Sequence, residues 1–431
     1  MKKNNFSKIF ASVVVGMMMF TGAQRATAQA FDDYFTNQTL RIDYNFAGDA
    51  HEQRIAVDQL NMMPGWYGKR QRLAEVPVEG NGQIKVVARR TGELIYRNSF
   101  STLFQEWLSY PEAMQTRKSF ENVFLVPMPR DTVEVTIELY NNRREVMTTL
   151  THEVVPTDIL IRHVGYEQRT PYEVVMQPAD TTRCISIAFL AEGYQEDEMP
   201  VFMEDVQTAV DAMFAHEPFR SMRDRFRIVA VKAPSKDSGV SEPRRGIWRN
   251  TALHAHFDTF YSDRYLTTLH LKDVHDWLAG IPYEHIIILV NTEEYGGGGI
   301  LNSYNLAMAH HPKFRPVVVH EFGHSFAGLA DEYAYETEDI PMYPHDVEPW
   351  EPNITTLVDF ASKWQQKVKA TTPLPTTERK TGIIGLYEGA GYSLKGVYRS
   401  EYDCRMRTNE NPEFCTVCRE AIVRLIEFYC E

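Results

Sequence analysis

From about Leu40 to Val155, apolar residues recur at every second position. The run LRIDYNF sets Leu40, Ile42, Tyr44 and Phe46 on one face of a strand, and VEVTIEL does the same with Val133, Val135, Ile137 and Leu139. Asn81-Gly82 and Asn141-Asn142 supply turn residues between such runs. Near Trp107 the stretch FSTLFQEWL breaks the alternation and reads as a short helix or a loop insertion. Repeated half-apolar strands predict an N-terminal β-sandwich over residues 29–156. No cluster of catalytic side chains stands out within it.

The segment VVPTDILIRH marks a boundary near Pro156, and beyond it the pattern changes. CISIAFLAEGY, FRIVAVKAPS and HIIILVN are nearly continuous apolar runs, as strands buried on both faces require. DEMPVFMEDVQTAVDAMF has apolar spacings of three and four with acids at its start, which predicts a helix. Strands alternating with helices predict an α/β domain over residues 157–431, and the Pro- and Thr-rich stretch 340–380 reads as irregular. The whole is expected to be a multidomain α+β chain.

Residues 1–28 have a different character. Lys2, Lys3 and Lys8 precede an apolar run from Ile9 to Thr21, and small residues follow at Ala26, Ala28 and Ala30. That order is the pattern of a cleavable export signal, with cleavage after Ala28 or Ala30, and predicts a secreted or periplasmic protein. A short uncleaved anchor is the alternative. No cysteine lies near the cleavage site to carry a lipid, and no later apolar run is long enough for a transmembrane helix.

Composition narrows the function classes. Of 431 residues, 43% are hydrophobic and 12% aromatic, which is the profile of a folded globular chain. The formal net charge is −13, and removing residues 1–28 takes away four basic residues and no acid, leaving 41 basic against 58 acidic. So acidic a protein is poorly suited to nucleic acid or to an anionic membrane. Four of the five cysteines, Cys404, Cys415, Cys418 and Cys430, fall in the last thirty residues, and the fifth is Cys184. In an oxidising compartment one or two structural disulfides are expected there. CTVC is also half of a zinc knuckle or a redox pair, but Cys404 and Cys430 are its only nearby partners and the spacing matches no zinc finger.

The chemistry concentrates in VVVHEFGHSFAGLADEY, residues 317–333. Pro316 suits the first turn of a helix. On that helix His320 and His324 are separated by about 40° around the axis and one turn along it, so two neutral imidazoles can share one tetrahedral ion. Glu321, beside the ion, is placed to act as general base on a water that zinc acidifies. A catalytic zinc needs a third protein ligand and an open position. Asp331 is the first candidate. A straight helix would carry it roughly 16 Å past His320, so the helix must end, and Gly328 is the residue suited to end it. Glu332 is the next candidate, followed by Glu336, Asp339 and His345, and the unused acid of the 331–332 pair could orient a ligand histidine. The plain alternative is a buried helix holding two hydrogen-bonded histidines.

Other features carry less. Gly296 to Gly299 lack the Lys and Ser/Thr of a phosphate loop; they are either a connecting turn or the start of an exposed strand able to pair with an extended peptide. His310 and His311 read as surface residues. DEYAYETED lacks the spacing of a calcium loop, and no serine or cysteine nucleophile signature is evident.

Beyond these motifs, RIDYNF, YRNSFSTLFQEWL and KSFENVFLVPMPR in the first half resemble the N-terminal β-sandwich of the bacterial IgA-peptidase-like zinc metallopeptidases. In the second half FLAEGYQEDEM, APSKDSGVSEP, YGGGGI, HEFGHSFAGLADEY, GLYEGAGYSLKGVYRSEYDCRMR and FCTVC resemble their peptidase domain. The resemblance implies a metzincin-like zinc endopeptidase acting on protein or peptide, with His320 and His324 as ligands, Glu321 as base, Asp331 as third ligand, and Met406 as a packing residue beneath the metal. The chain departs from the common metzincin pattern after the second histidine: Ala327 and Ala330 stand where Gly and His are usual, with Gly328 and Asp331 each one position later. The family name mentions immunoglobulin A, but a family name is not a specificity pocket. Two other readings remain: a protein binding a glycan or a host protein with a structural or silent zinc site, and a zinc hydrolase of non-peptide amides or esters.

Overall fold

The computed structural model describes residues 31–334 and 342–431. The expected export signal at 1–28 lies outside them, as do Glu336 and Asp339. After a single helical turn, α1 (Phe31–Tyr34), the chain forms seven strands: β1 (Phe35–Gly48), β2 (Gln53–Pro64), β3 (Gly82–Ala88), β4 (Leu94–Phe100), β5 (Lys118–Pro129), β6 (Val133–Tyr140) and β7 (Val146–Val154). A short helix, α2 (Leu103–Trp107), sits where FSTLFQEWL breaks the alternation, with the Thr102 side chain accepting the Gln105 N–H at its start.

With the short β8 (Arg162–His163), these strands make two four-stranded sheets, ordered β5-β1-β2-β8 and β4-β3-β6-β7. Leu40, Ile42, Tyr44 and Phe46 are fully buried together with Val135, Ile137 and Leu139, as the alternation predicts. The opposite face of β1 is a surprise. Arg41 and Asp43, at polar positions, are buried as well, and Arg41 reaches both Asp43 (2.7 Å) and Asp276 (2.5 Å). Nor does the chain leave these sheets at Pro156, because β8 pairs in parallel with β2.

A six-stranded sheet follows, ordered β13-β14-β12-β10-β11-β9. Its members are β9 (Tyr172–Met176), β10 (Ile185–Glu192), β11 (Phe226–Val231), β12 (His285–Val290), β13 (Gly297–Ile300) and β14 (Tyr304–Met308). The four central strands are parallel, and β9 and β13 are antiparallel edges. Every residue of β10, β11 and β12 is buried. Because side chains alternate across a strand, the two faces enter different cores. Ile187, Phe189, Ile228, Ala230, Ile287 and Leu289 pack with the helices α3 (Met199–Phe214), α5 (Phe314–Ala327) and α6 (Thr416–Cys430). Ala188, Leu190, Val229, Val231, Ile286 and Ile288 join the cluster that contains Ile42 and Tyr44. The two halves therefore share one continuous apolar core.

The helix α4 (Leu271–Trp277) carries Asp276 to Arg41. A small sheet ordered β15-β17-β16, from Ile354–Thr355 (β15), Tyr387–Ala390 (β16) and Ser393–Arg399 (β17), completes the fold. No helix among the described residues is long and apolar enough to cross a membrane.

Candidate active site

The helix α5 is apolar nearly all round, with Val317, Val318, Val319, Phe322 and Phe326 buried, so packing rather than amphipathicity holds it. It lies over β13. A side chain at Gly299 would meet the Glu321 carbonyl at 2.4 Å and the His324 Cβ at 2.9 Å, and one at Gly297 would meet the Glu321 Oε1 at 2.8 Å. The glycine run is thus what lets the helix approach the sheet and leaves room for the Glu321 carboxyl. The strand is not a free edge throughout, since Gly297 pairs with the backbone of Arg264 and Leu266. Gly299→Ala should cost about 1–3 kcal/mol from overpacking, with a lower urea midpoint and weakened ion binding measured on the same preparation.

Gly328 ends the helix in the left-handed conformation (φ 60°, ψ 32°), its N–H bonded to the His324 carbonyl at 3.0 Å. Leu329 then returns its N–H to the Gly323 carbonyl at 3.1 Å. Asn353 clasps the turned-back segment, accepting from the Ala330 N–H at 2.8 Å and donating to the Ala330 carbonyl at 2.9 Å. Asp331 arrives against the two histidines: its Oδ1 lies 3.0 Å from His320 Nε2 and 3.3 Å from His324 Nε2, and the two Nε2 atoms are 3.0 Å apart.

Those three distances test whether an ion fits. His320 Nδ1 donates to the Arg405 carbonyl (3.0 Å) and His324 Nδ1 to the Leu329 carbonyl (2.5 Å). A carbonyl can only accept, so in the neutral rings both Nε2 atoms turn lone pairs toward Asp331 Oδ1, a buried oxygen with no hydrogen-bond donor of its own. Three converging acceptors need a cation or a proton between them. A tetrahedral zinc at about 2.0–2.1 Å from each would set edges of about 3.3 Å, close to those observed. Burial opposes charging His324, but the Asp331 carboxylate outweighs it and pushes the imidazole up to about 9. Burial likewise pushes Asp331 upward, yet His324 and His320 outweigh it and hold the acid well below the usual carboxylate range. Burial raises the Glu321 carboxyl against the pull of both histidines.

The remaining expectations sort cleanly by position. Met406 is fully buried and packs against the helix, where a side chain at Gly323 would meet its Sδ at 2.7 Å. Glu332 turns away from the histidines toward Cys404, Cys415 and Cys418. His345 packs against Gly396 instead of joining the histidine pair. His310 is exposed, as expected, and its Nε2 lies 2.9 Å from the Asp205 carboxylate. The expected disulfides are absent: all five cysteines are buried thiols.

Two side chains at the site escaped sequence reasoning. Tyr392 donates its hydroxyl to Asp331 Oδ2. It occupies, with Gly391, the two-residue turn between β16 and β17, and both have positive φ (55° and 61°). A tyrosine there is strained, and Asn-Gly is the usual choice; the bond to Asp331 explains the exception. The turn is also tied to the 331–333 backbone, through Gly391 N–H to Asp331 O (2.9 Å) and Tyr392 N–H to Tyr333 O (3.0 Å).

The second is Glu106 on α2. It lines the same cleft, of about 940 Å³, as His320, Glu321 and His324, so the N-terminal half forms one wall of the site. The Tyr265 hydroxyl donates to Glu106 at 2.6 Å, and burial raises the carboxyl to about 7 despite that bond. A carboxyl raised on folding binds its proton more tightly in the native state. Its stability contribution is full below about pH 4.5 and is lost as pH rises to about 7. Glu106→Gln should remove that slope, making chelator-treated protein more stable than the unchanged chain at pH 8, by on the order of 2–3 kcal/mol. Urea midpoints between pH 5 and 8 measure the difference.

Two known protein families match the chain. The family described as IgA Peptidase M64 matches residues 174–383 and 377–426, and the one described as Peptidase M64 N-terminus matches residues 30–151. Among curated proteins, nothing matches. The first family spans more than half of the chain and the second most of what precedes it, so this chain belongs to the IgA peptidase M64 family, N-terminal part included.

Proposed function

We propose that the protein is an exported zinc-dependent endopeptidase in which His320, His324 and Asp331 hold one catalytic ion and Glu321 is the general base. Membership of a peptidase family supports hydrolysis of protein or peptide substrates. The observation that carries the zinc assignment is the convergence of two Nε2 lone pairs and Asp331 Oδ1 within 3.3 Å of one another. Zinc bound there supplies a Lewis acid that polarises the scissile carbonyl and acidifies a water. The protein's own groups do the rest. The Arg405 and Leu329 carbonyls fix the histidine tautomers, and Tyr392 fixes the Asp331 carboxylate. Glu321, its carboxyl raised by burial, takes a proton from the attacking water and returns it to the departing amine.

The two four-stranded sheets with their shared apolar interior support the β-sandwich reading of the N-terminal half. The glycine-rich antiparallel edge strand before α5, and Met406 packed beneath Gly323, support a metzincin-like catalytic domain. Export rests on the basic, apolar and small-residue order of residues 1–28. Digestion of casein or a peptide library, with and without a chelator, tests the assignment. Cleavage lost on chelation and restored by zinc is expected; cleavage indifferent to chelator would overturn it.

A further inference from the structure

A second group of metal-ligating side chains lies behind the first. Glu332, Cys404, Cys415 and Cys418 each offer one ligand atom, and all four atoms lie within 4.8 Å of one another. All four residues are buried, with Glu332, Cys404 and Cys418 wholly inaccessible. Cys404 Sγ and Cys418 Sγ are 3.8 Å apart, nearly twice a disulfide bond length. Glu332 Oε1 lies 3.2 Å from Cys418 Sγ and 3.8 Å from Cys415 Sγ. A tetrahedral zinc at about 2.3 Å from sulfur and 2.0–2.2 Å from oxygen sets S···S edges of about 3.8 Å and S···O edges of about 3.5 Å. We propose that these four residues form a second, closed metal site for a thiophilic dication such as zinc.

The surroundings suit thiolates. Cys404 Sγ accepts the backbone N–H of Cys415 at 3.1 Å and of Met406 at 3.5 Å, and Cys415 Sγ accepts that of Cys418 at 3.4 Å. Cys415 caps the N-terminus of α6 and Cys418 lies in its first turn, where the helix dipole favours negative sulfur. Glu332 Oε1 accepts from Asn353 Nδ2 at 3.0 Å, which orients the carboxylate, while its Oε2 is buried with no partner. Four protein ligands leave no open position, so the site is structural. It ties the C-terminal helix to two pieces that build the active site: the segment bearing Asp331 and the 404–406 turn whose carbonyl at Arg405 holds His320. The Glu332 N–H to Met406 carbonyl bond, 2.8 Å, runs beside it.

The site stands on geometry separate from the catalytic histidines, and the experiment separates the two. Metal content and zinc-edge X-ray absorption are measured on the full mature chain and on a His320→Ala/His324→Ala variant. Two ions per chain are expected in the unchanged protein. One should survive in the variant, with a shell of three sulfurs at about 2.3 Å. Cobalt substitution of that variant should give thiolate-to-metal charge-transfer absorption, which Cys418→Ser should weaken. One ion in the unchanged protein and none in the variant would overturn the proposal. So would non-reducing mass spectrometry that finds two of Cys404, Cys415 and Cys418 joined as a disulfide.

Discussion

Replacing Glu321 by glutamine should lower kcat for peptide hydrolysis by a factor of about 10²–10⁴ while ion content and thermal midpoint stay unchanged. Glutamine keeps the shape of the side chain, which lies against Gly297, but cannot accept and return a proton. The carboxyl is not placed to hold the ion: the group that converges is His320, His324 and Asp331. Activity and metal content should therefore separate in this variant. A Glu321→Gln protein that cleaves as fast as the unchanged one would eliminate the assigned base. One that also loses its ion would make Glu321 a ligand.

Asp331→Asn should have the opposite signature, losing ion and activity together. The charge of Asp331 is what draws a cation, or a proton, between the two imidazoles. Outer contacts to metal ligands are worth 10–100-fold in affinity, so loss of the anionic ligand itself should weaken binding by at least about 100-fold. The metal-free variant offers an independent reading. His324 is held at about 9 because Asp331 outweighs burial. Without that carboxylate burial is opposed only by Glu321 and the Leu329 carbonyl, and the imidazole should titrate lower. An NMR titration of His324 in chelated protein checks the direction. An unchanged His324 titration, with an unchanged ion affinity, would remove Asp331 from the site.

What could be read from the chain beforehand divides by range. The helix carrying His320 and His324, its end at Gly328 and the return of Asp331 are local, because periodicity, a left-handed glycine and the length of a helix suffice. The strands of LRIDYNF and VEVTIEL, and the mostly apolar, fully buried β10 and β12, are local too. What stayed hidden depends on partners far along the chain. Glu106 enters the cleft from a helix more than two hundred residues before His320. Tyr392 is recognisable only once its positive φ is known. The grouping of the CTVC pair with Cys404 and Glu332 is not legible from spacing, because Glu332 is over eighty residues away in sequence. The pairing of β8 with β2 across Pro156 is hidden for the same reason, since its partner lies about a hundred residues earlier.

The placement of Ala188, Leu190, Val229 and Ile288 among N-terminal side chains has a practical corollary. A fragment starting near residue 157 would turn that apolar face to water, strand Asp276 without Arg41 and remove Glu106 from the cleft. Such a fragment should aggregate, whereas the intact chain should melt in one cooperative step, both halves together.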